Sequence, residues 1–494
     1  MRRGPRCGRL RKEPALSAPA AALPTDPLLI EIANYVDGYA VRGDAAWNMA
    51  RHCLMDSLAC ALEALDHPDC VRLLGPVVPG ITVTHGARVP GTHFLLDPAT
   101  AAFNIGAMVR WLDFSDTWVA TPTTTHPSDD VGAILATADY VSRVRAAGGK
   151  PPLAVKDVLE GMIKAHEIQG VLGGELAITD HGVDHPFLAK LAVAAVVAKL
   201  LGGTREQIVN AASLALFDVS LCVHRYGSNT GPRKGWAAGD ATSQGVRLAL
   251  MALKGEPGYP QAFSHPQWGF AKTFLGGELP QRRTPFGTAV MENVFFKLLA
   301  PVVIHAQSSI ECALALHPEV RARLDDIAGI QVATHRITME KIVKTGPLRN
   351  PADRDHCLQY AIAVALLHGR LTAGDYEDAV AADPRIDRLR SLMTVKEDPR
   401  YTGMYRDTAL RANPNAIEVR FKDGTGTGLV EALYPIGHSS RRKEGLPVLE
   451  RKFEQRVARR FPKRQGAINA LCRDHERLLG TPVNAFSDLL AAEA

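Results

Sequence analysis

The stretch 45–65, AAWNMARHCLMDSLACALEAL, sets Trp47, Ala50, Leu54, Leu58, Leu62 and Leu65 at intervals of three and four. That spacing lines one face of a helix and is too regular for a strand, whose side chains alternate every two residues. Working outward, the same period recurs at 99–112, 129–144, 155–172, 187–201, 208–217 and 237–254, so the first half reads as helix after helix. Ser128, with Asp129 and Asp130 behind it, is expected to cap the 129–144 helix, and Thr204 with Gln207 forms a capping box ahead of Ile208. After about Glu292 the texture changes. Residues 329–335 and 416–422 read as strands, the second followed by Asp423-Gly424, a hairpin turn, while helices continue at 302–316, 355–367 and 446–460. The expected fold is mainly α, a large all-helical domain with an inserted smaller α+β domain.

With 494 residues the chain exceeds the roughly 250–300 at which single cores stop growing, so at least one domain boundary is expected. The formal net charge of +5 comes largely from Arg2, Arg3, Arg6, Arg9, Arg11 and Lys12. Elsewhere bases alternate with acids and apolar residues, which argues against a nucleic-acid partner. No run of about 18 uncharged apolar residues exists, since Lys190 and Lys199 interrupt the best candidate, so no membrane span is expected. The eight cysteines form no CxxC pair. They read as buried reduced thiols of a cytoplasmic protein, and no spacing suits an iron-sulfur cluster.

Four polar constellations stand out. Asp113-Phe114-Ser115-Asp116-Thr117-Trp118 with His126-Pro127-Ser128-Asp129-Asp130 lies between two expected helices, and its acids either cap helices or build a site. Thr179-Asp180-His181-Gly182-Val183-Asp184-His185-Pro186 has the HxxxH spacing of a metal pair. Gly182 and Pro186 oppose the continuous helix such a pair needs, leaving an anion-binding loop or plain structure as the other readings. Ser228-Asn229-Thr230-Gly231-Pro232-Arg233-Lys234-Gly235-Trp236 is a basic, glycine-punctuated loop that binds an anion or is a surface turn, but it is not a P-loop. Lys297, inside Val294-Phe295-Phe296-Lys297-Leu298 and close to His305, either reaches solvent or is held for a buried anion.

At LDFSDTW with THPSDD, GPRKGWAAGDA and FFKLLAPVVIHAQSSIECA, the sequence resembles the MmgE/PrpD family, from about Pro27 to near the C-terminus. The resemblance implies a basic, unstructured extension (1–26), a helical domain (27–291), an α+β lid (292–432) and C-terminal helices returning to the helical domain (433–494). It implies a hydro-lyase that dehydrates 2-methylcitrate to 2-methyl-cis-aconitate in propionate catabolism, with no metal and no cofactor. The other lyase or epimerase reactions of the family, such as cis-aconitate decarboxylation, are the alternative. A homodimer is implied, in the cytoplasm or, in a eukaryote, the mitochondrial matrix. By motif position His126, Asp113 and Thr117 are the implied catalytic residues, and His185, Lys234, Lys297, His305 and Tyr360 the implied substrate-binding ones. Lys234 and Lys297 are expected to face each other across an empty cleft. Asp130 and Thr124-Thr125 depart from the dehydratase pattern, in which Asn and Trp-Gly are expected.

Overall fold

The computed structural model describes residues 23–225, 230–279 and 283–493. The expectation for most of the basic extension therefore lies outside the described residues, as do Ser228 and Asn229. Asp26, assigned above to that extension, is buried, and its carboxylate accepts hydrogen bonds from the amides of Phe263 (2.7 Å) and Ser264 (3.1 Å).

The fold is mainly α. Among the described residues, the nine helices of the first half are α1 (Pro27–Gly38), α2 (Asp44–Ala64), α3 (Pro68–Val71), α4 (Pro98–Arg110), α5 (Val131–Ala147), α6 (Val155–Glu175), α7 (Pro186–Leu200), α8 (Arg205–Leu214) and α9 (Ala237–Leu253). Asp97 caps α4 by accepting from the amides of Ala99 and Thr100, and the Thr204–Gln207 capping box opens α8 as expected. The sequence of α7, PFLAKLAVAAVVAKL, is apolar on every face, and α7 accordingly lies at the centre of the bundle against α6, α8 and α9.

Three site-bearing segments are locked together by glycines. α4 packs on both α5 and α9, and a Cβ at Gly106 would fall 2.7 Å from Gly239 Cα, while one at Gly132 would fall 2.6 Å from Gly106 N. No side chain fits at these crossings. The C-terminus of α4 leads to Asp113, the N-terminus of α5 follows His126, and that of α9 follows Lys234. Gly239→Ala is therefore expected to cost about 1–3 kcal/mol by overpacking. It should also lower turnover, because displacements near 1 Å in a catalytic array can cost about 100-fold. Thermal unfolding and steady-state assays check this, and a variant with wild-type melting and turnover would contradict it.

One core cluster runs from Leu28 to Leu298 and resumes from Leu449 to Leu490, so both ends of the described chain share it. A second cluster runs from Ala300 to Phe421. It is built on the Gln307–Val320 and Leu358–His368 helices and a four-stranded sheet. After the short ladder β1 (Ala87–Arg88) and β2 (Leu95–Leu96), the sheet strands are β3 (Ile327–Thr334), β4 (Met393–Glu397), β5 (Asn415–Phe421) and β6 (Gly426–Ala432), in spatial order β4-β3-β5-β6. β3 is parallel to β4 and antiparallel to β5, with Val332 opposite both Val395 and Ile417. The strands expected at 329–335 and 416–422 are β3 and β5, and Gly424, at φ +85°, makes the turn into β6.

One local expectation is corrected. Ser128 does not cap a helix: Pro127–Asp130 is a 3₁₀ turn, and α5 starts at Val131. The Asp116 carboxylate, twelve residues earlier, instead accepts from the Ser128 amide at 2.8 Å. It meets the orphan donor that a local cap would otherwise satisfy.

Candidate active site

A small cavity, about 50 Å³, lies between elements of the two core clusters. Asp113, Thr124, His126, Thr179, His185 and Arg225 line one side, and Val303, Ile304, His305, Lys341, Ile342 and His356 the other.

Two short ladders position the first side. Thr117 and Phe295 exchange backbone hydrogen bonds (2.7 and 2.8 Å), and so do Trp118 and Thr125 (2.9 and 3.2 Å). The first ladder brings Lys297 to Asp113, and the second folds the loop back so that His126 lies beside Thr117. His126 is extended (φ −121°, ψ 95°), as the residue before a proline must be. Its Nδ1 is 2.9 Å from the Asp116 carbonyl oxygen and 3.1 Å from the Thr117 hydroxyl. A carbonyl can only accept, so Nδ1 carries the proton and Nε2 keeps its lone pair. Burial first, then Arg110, Lys297 and His185, holds the His126 pKa well below the ordinary imidazole value, so the ring is neutral near pH 7.

Asp113 occupies a left-handed backbone conformation (φ +49°), uncommon outside glycine. Its Oδ1 accepts from Arg110 (2.9 Å) and from Lys297, whose ammonium also bonds the Asp113 carbonyl oxygen (2.9 Å). Its Oδ2 is 3.5 Å from Lys234 Nζ and 3.6 Å from His356 Nε2. Burial alone would raise the Asp113 carboxyl, but Lys297, Lys234, Arg110 and His356 together hold it well below the carboxylate range. An acid so stabilised as its anion is a poor proton acceptor. The expectation of Lys234 and Lys297 as bare cations across a cleft is likewise corrected, because Asp113 lies between them and neither lysine lines the cavity.

Lys234 also donates to Asp355 Oδ2 at 2.6 Å. Burial and Arg110 draw Lys297 down to about 8, against the pull of Asp113. Lys297 thus keeps its charge near neutrality and loses it as pH rises through about 8, weakening the positive field at the site. For an anionic substrate kcat/KM should fall above that pH, by up to tenfold per unit. A profile flat to about pH 9.5 would remove Lys297 from substrate capture.

The remaining expected residues divide. His185 lies with its ring centroid 5.1 Å from that of His126, Nδ1 3.1 Å from Asp184 and Nε2 3.4 Å from Asp129. Arg225 bonds Asp184 through Nε and Nη2 at 3.1 Å, and with His185 and His224 keeps that carboxyl low despite its burial. His305 lines the cavity, its ring near those of His335 and Tyr405. Tyr360 does not reach the cavity. Its hydroxyl donates to the Asp375 carbonyl at 2.6 Å, and its ring stacks on Tyr376.

Sequence reasoning missed Arg110, Arg225, Lys341, Asp355 and His356. Asp355 and His356 adjoin LQY, the segment from which Tyr360 was chosen, so an acid-imidazole pair ahead of an apolar helix was the available signal. Arg110 is the one charge in the otherwise apolar or small α4.

Among the described residues, two groups of side chains bring three potential metal-ligand atoms within 4.8 Å of one another. In the group of Asp113, Asp355 and His356, the lysine ammoniums already supply the cation. In the group of Cys53, Asp116 and His166, burial and Asp116 raise the Cys53 thiol well above its usual value, which disfavours the thiolate a metal needs. His181 and His185 are not on one helix, because Gly182 is left-handed and α7 starts at Pro186.

A model of the MmgE/PrpD N-terminal domain matches residues 30–283, and one of the C-terminal domain matches residues 300–475. The chain is 51% identical over 479 residues to "2-methylcitrate dehydratase" of Cupriavidus necator, covering 96% of this chain and 99% of that one. It is 52% identical to the Salmonella typhimurium protein of the same name (94% and 97% covered). With "2-methylcitrate dehydratase, mitochondrial" of Yarrowia lipolytica it shares 46% identity (94% and 90% covered).

Proposed function

The chain belongs to the MmgE/PrpD family, and from that premise we propose that it is a hydro-lyase dehydrating 2-methylcitrate to 2-methyl-cis-aconitate in propionate catabolism. The observation that carries this reading is His126, a neutral imidazole on the cavity wall whose Nδ1–H is fixed to a carbonyl, leaving the lone pair on Nε2.

Dehydration requires removal of the proton on the carbon that bears the methyl and a carboxylate, and loss of hydroxide from its neighbour. The first half is accessible near neutral pH only if positive charge offsets the charge developing on that carboxylate. Arg225 and Lys341 on the wall are placed to receive substrate carboxylates, with Lys234, Lys297 and Arg110 adding positive charge behind Asp113. His126 Nε2 takes the proton. Thr117 and the Asp116 carbonyl orient the ring, and His185 and His305 line the same space.

The cavity has room for roughly three to five waters at about 10–15 Å³ each, less than a seven-carbon tricarboxylate needs. Substrate entry thus requires the body built on residues 300–432 to move as a lid. The working unit is a homodimer, in the bacterial cytoplasm or the mitochondrial matrix of a eukaryote. Among the described residues no helix is long and apolar enough to cross a membrane.

Incubation with 2-methylcitrate, citrate and cis-aconitate separately, followed by NMR, tests the assignment. Reversible conversion of 2-methylcitrate to its alkene is expected, and activity should survive exhaustive chelation. Itaconate and CO₂ from cis-aconitate, with 2-methylcitrate untouched, would replace dehydration by decarboxylation.

A further inference from the structure

The leaving hydroxide needs a proton, and neither the Thr117 nor the Tyr360 hydroxyl lines the cavity to supply it. Thr117 is beside His126, and Tyr360 donates to Asp375 away from the cavity. Resting on the dehydratase reading, we infer that His356 donates the proton that carries the substrate hydroxyl away as water, with Asp355 as its positioning residue. His356 stands on the cavity wall contributed by the second body, and His126 on the wall contributed by the first.

The two imidazoles are backed differently. His126 Nδ1 is held by a neutral carbonyl, which fixes the tautomer without stabilising positive charge. His356 Nδ1 is 2.5 Å from Asp355 Oδ1 and 3.3 Å from Lys234 Nζ, and its Nε2 is 3.6 Å from Asp113 Oδ2. A carboxylate behind an imidazole stabilises the imidazolium and orients it, so His356 has the surroundings of a donor and His126 those of an acceptor. His305 shares the cavity, but its ring neighbours are His335 and Tyr405, and among the described residues no carboxylate bonds its Nδ1.

The groups facing His356 are Lys234, Asp355, Asp113 and His305. Burial and Lys234 draw His356 down to about 4, against Asp355 and Asp113. A tricarboxylate adds negative charge beside the ring and reverses this balance, so the donor proton enters with the substrate. In the step itself the C–H bond breaks and its proton passes to His126 Nε2. Its electron pair forms the double bond, the C–O bond breaks, and the departing hydroxide takes the proton of His356 Nε2 to leave as water. Nothing is oxidised or reduced, and no co-reactant is needed.

A change of leaving group separates this role from a structural one. In His356→Asn the Asn amide can still donate to Asp355, but the acidic nitrogen is gone. On 2-methylcitrate the variant should lose about 10²- to 10⁴-fold in kcat, the range of general acid catalysis. On the analogue with fluorine in place of the hydroxyl, whose leaving group departs without a proton, it should stay within about tenfold of the wild type. Equal losses on both substrates, or no loss on either, would overturn the assignment. A second measurement does not depend on turnover by the variant: calorimetric titration of wild type with tricarballylate in buffers of different ionisation enthalpy. Proton uptake in the wild type that disappears in His356→Asn supports the inference, and wild-type binding without proton uptake overturns it. Wild-type inactivity on 2-methylcitrate would instead sink the dehydratase reading, whatever the variant does.

Discussion

His126→Asn turns over 2-methylcitrate about 10²- to 10⁴-fold more slowly than the wild type, with little change in melting temperature. Asparagine is the informative replacement because its amide can still donate to the Asp116 carbonyl, so the loop keeps the bond that positions it while the basic nitrogen is lost. The loss should fall on kcat rather than on substrate affinity, since carboxylate binding is assigned to Arg225 and Lys341. Steady-state kinetics with a thermal melt on the same sample decide it. Unchanged turnover in a folded variant would remove His126 from the chemistry.

The second large effect is on stability. Asp113 is the shared counter-ion of Arg110, Lys234 and Lys297, all buried. Removing one partner of a buried ion network leaves charge uncompensated and typically costs about 3–5 kcal/mol. Asp113→Asn isolates that term, because asparagine also tolerates a left-handed backbone and so adds no strain at φ +49°. A tricarboxylate can replace the missing anion, so ligand should stabilise the variant more than it stabilises the wild type. The pH dependence follows from the sign of the shift. Asp113 is held well below the ordinary carboxylate range when folded, so its contribution is complete above about pH 4 and is lost only as pH falls through the lower, folded value. The stability difference between wild type and Asp113→Asn should therefore persist from neutrality down to about pH 4 and shrink below it. Urea unfolding across that range is the check, and a variant as stable as wild type at pH 7 would contradict the counter-ion role.

Much of the fold was legible because its helices carry long, clean periods. The stretch opening at Ala45 and the all-apolar α7 admit little but buried helices, and Asp423-Gly424 marks its hairpin. Strand β4, MTVKE, was missed. It is short and half exposed, and it gains its place by pairing in parallel with β3 from about sixty residues away, which no local pattern reveals. The site divides along the same line. His126, His185 and Asp113 sit in polar clusters that announce themselves, whereas Arg225, Lys341, Asp355 and His356 are ordinary residues until the two bodies bring them to one cavity. Ser128 misled for a related reason. Its neighbourhood has the composition of a cap, but the cap comes from Asp116 across a loop.

The most direct test of the account is a crystal structure of the protein with a bound, unreactive analogue of 2-methylcitrate that lacks the hydroxyl. The methyl-bearing carbon is expected about 3–3.5 Å from His126 Nε2, the separation of a near-attack geometry, with carboxylates on Arg225 and Lys341 and His356 on the opposite side. A ligand bound elsewhere, or bound in this cavity with His126 out of reach of that carbon, would contradict it.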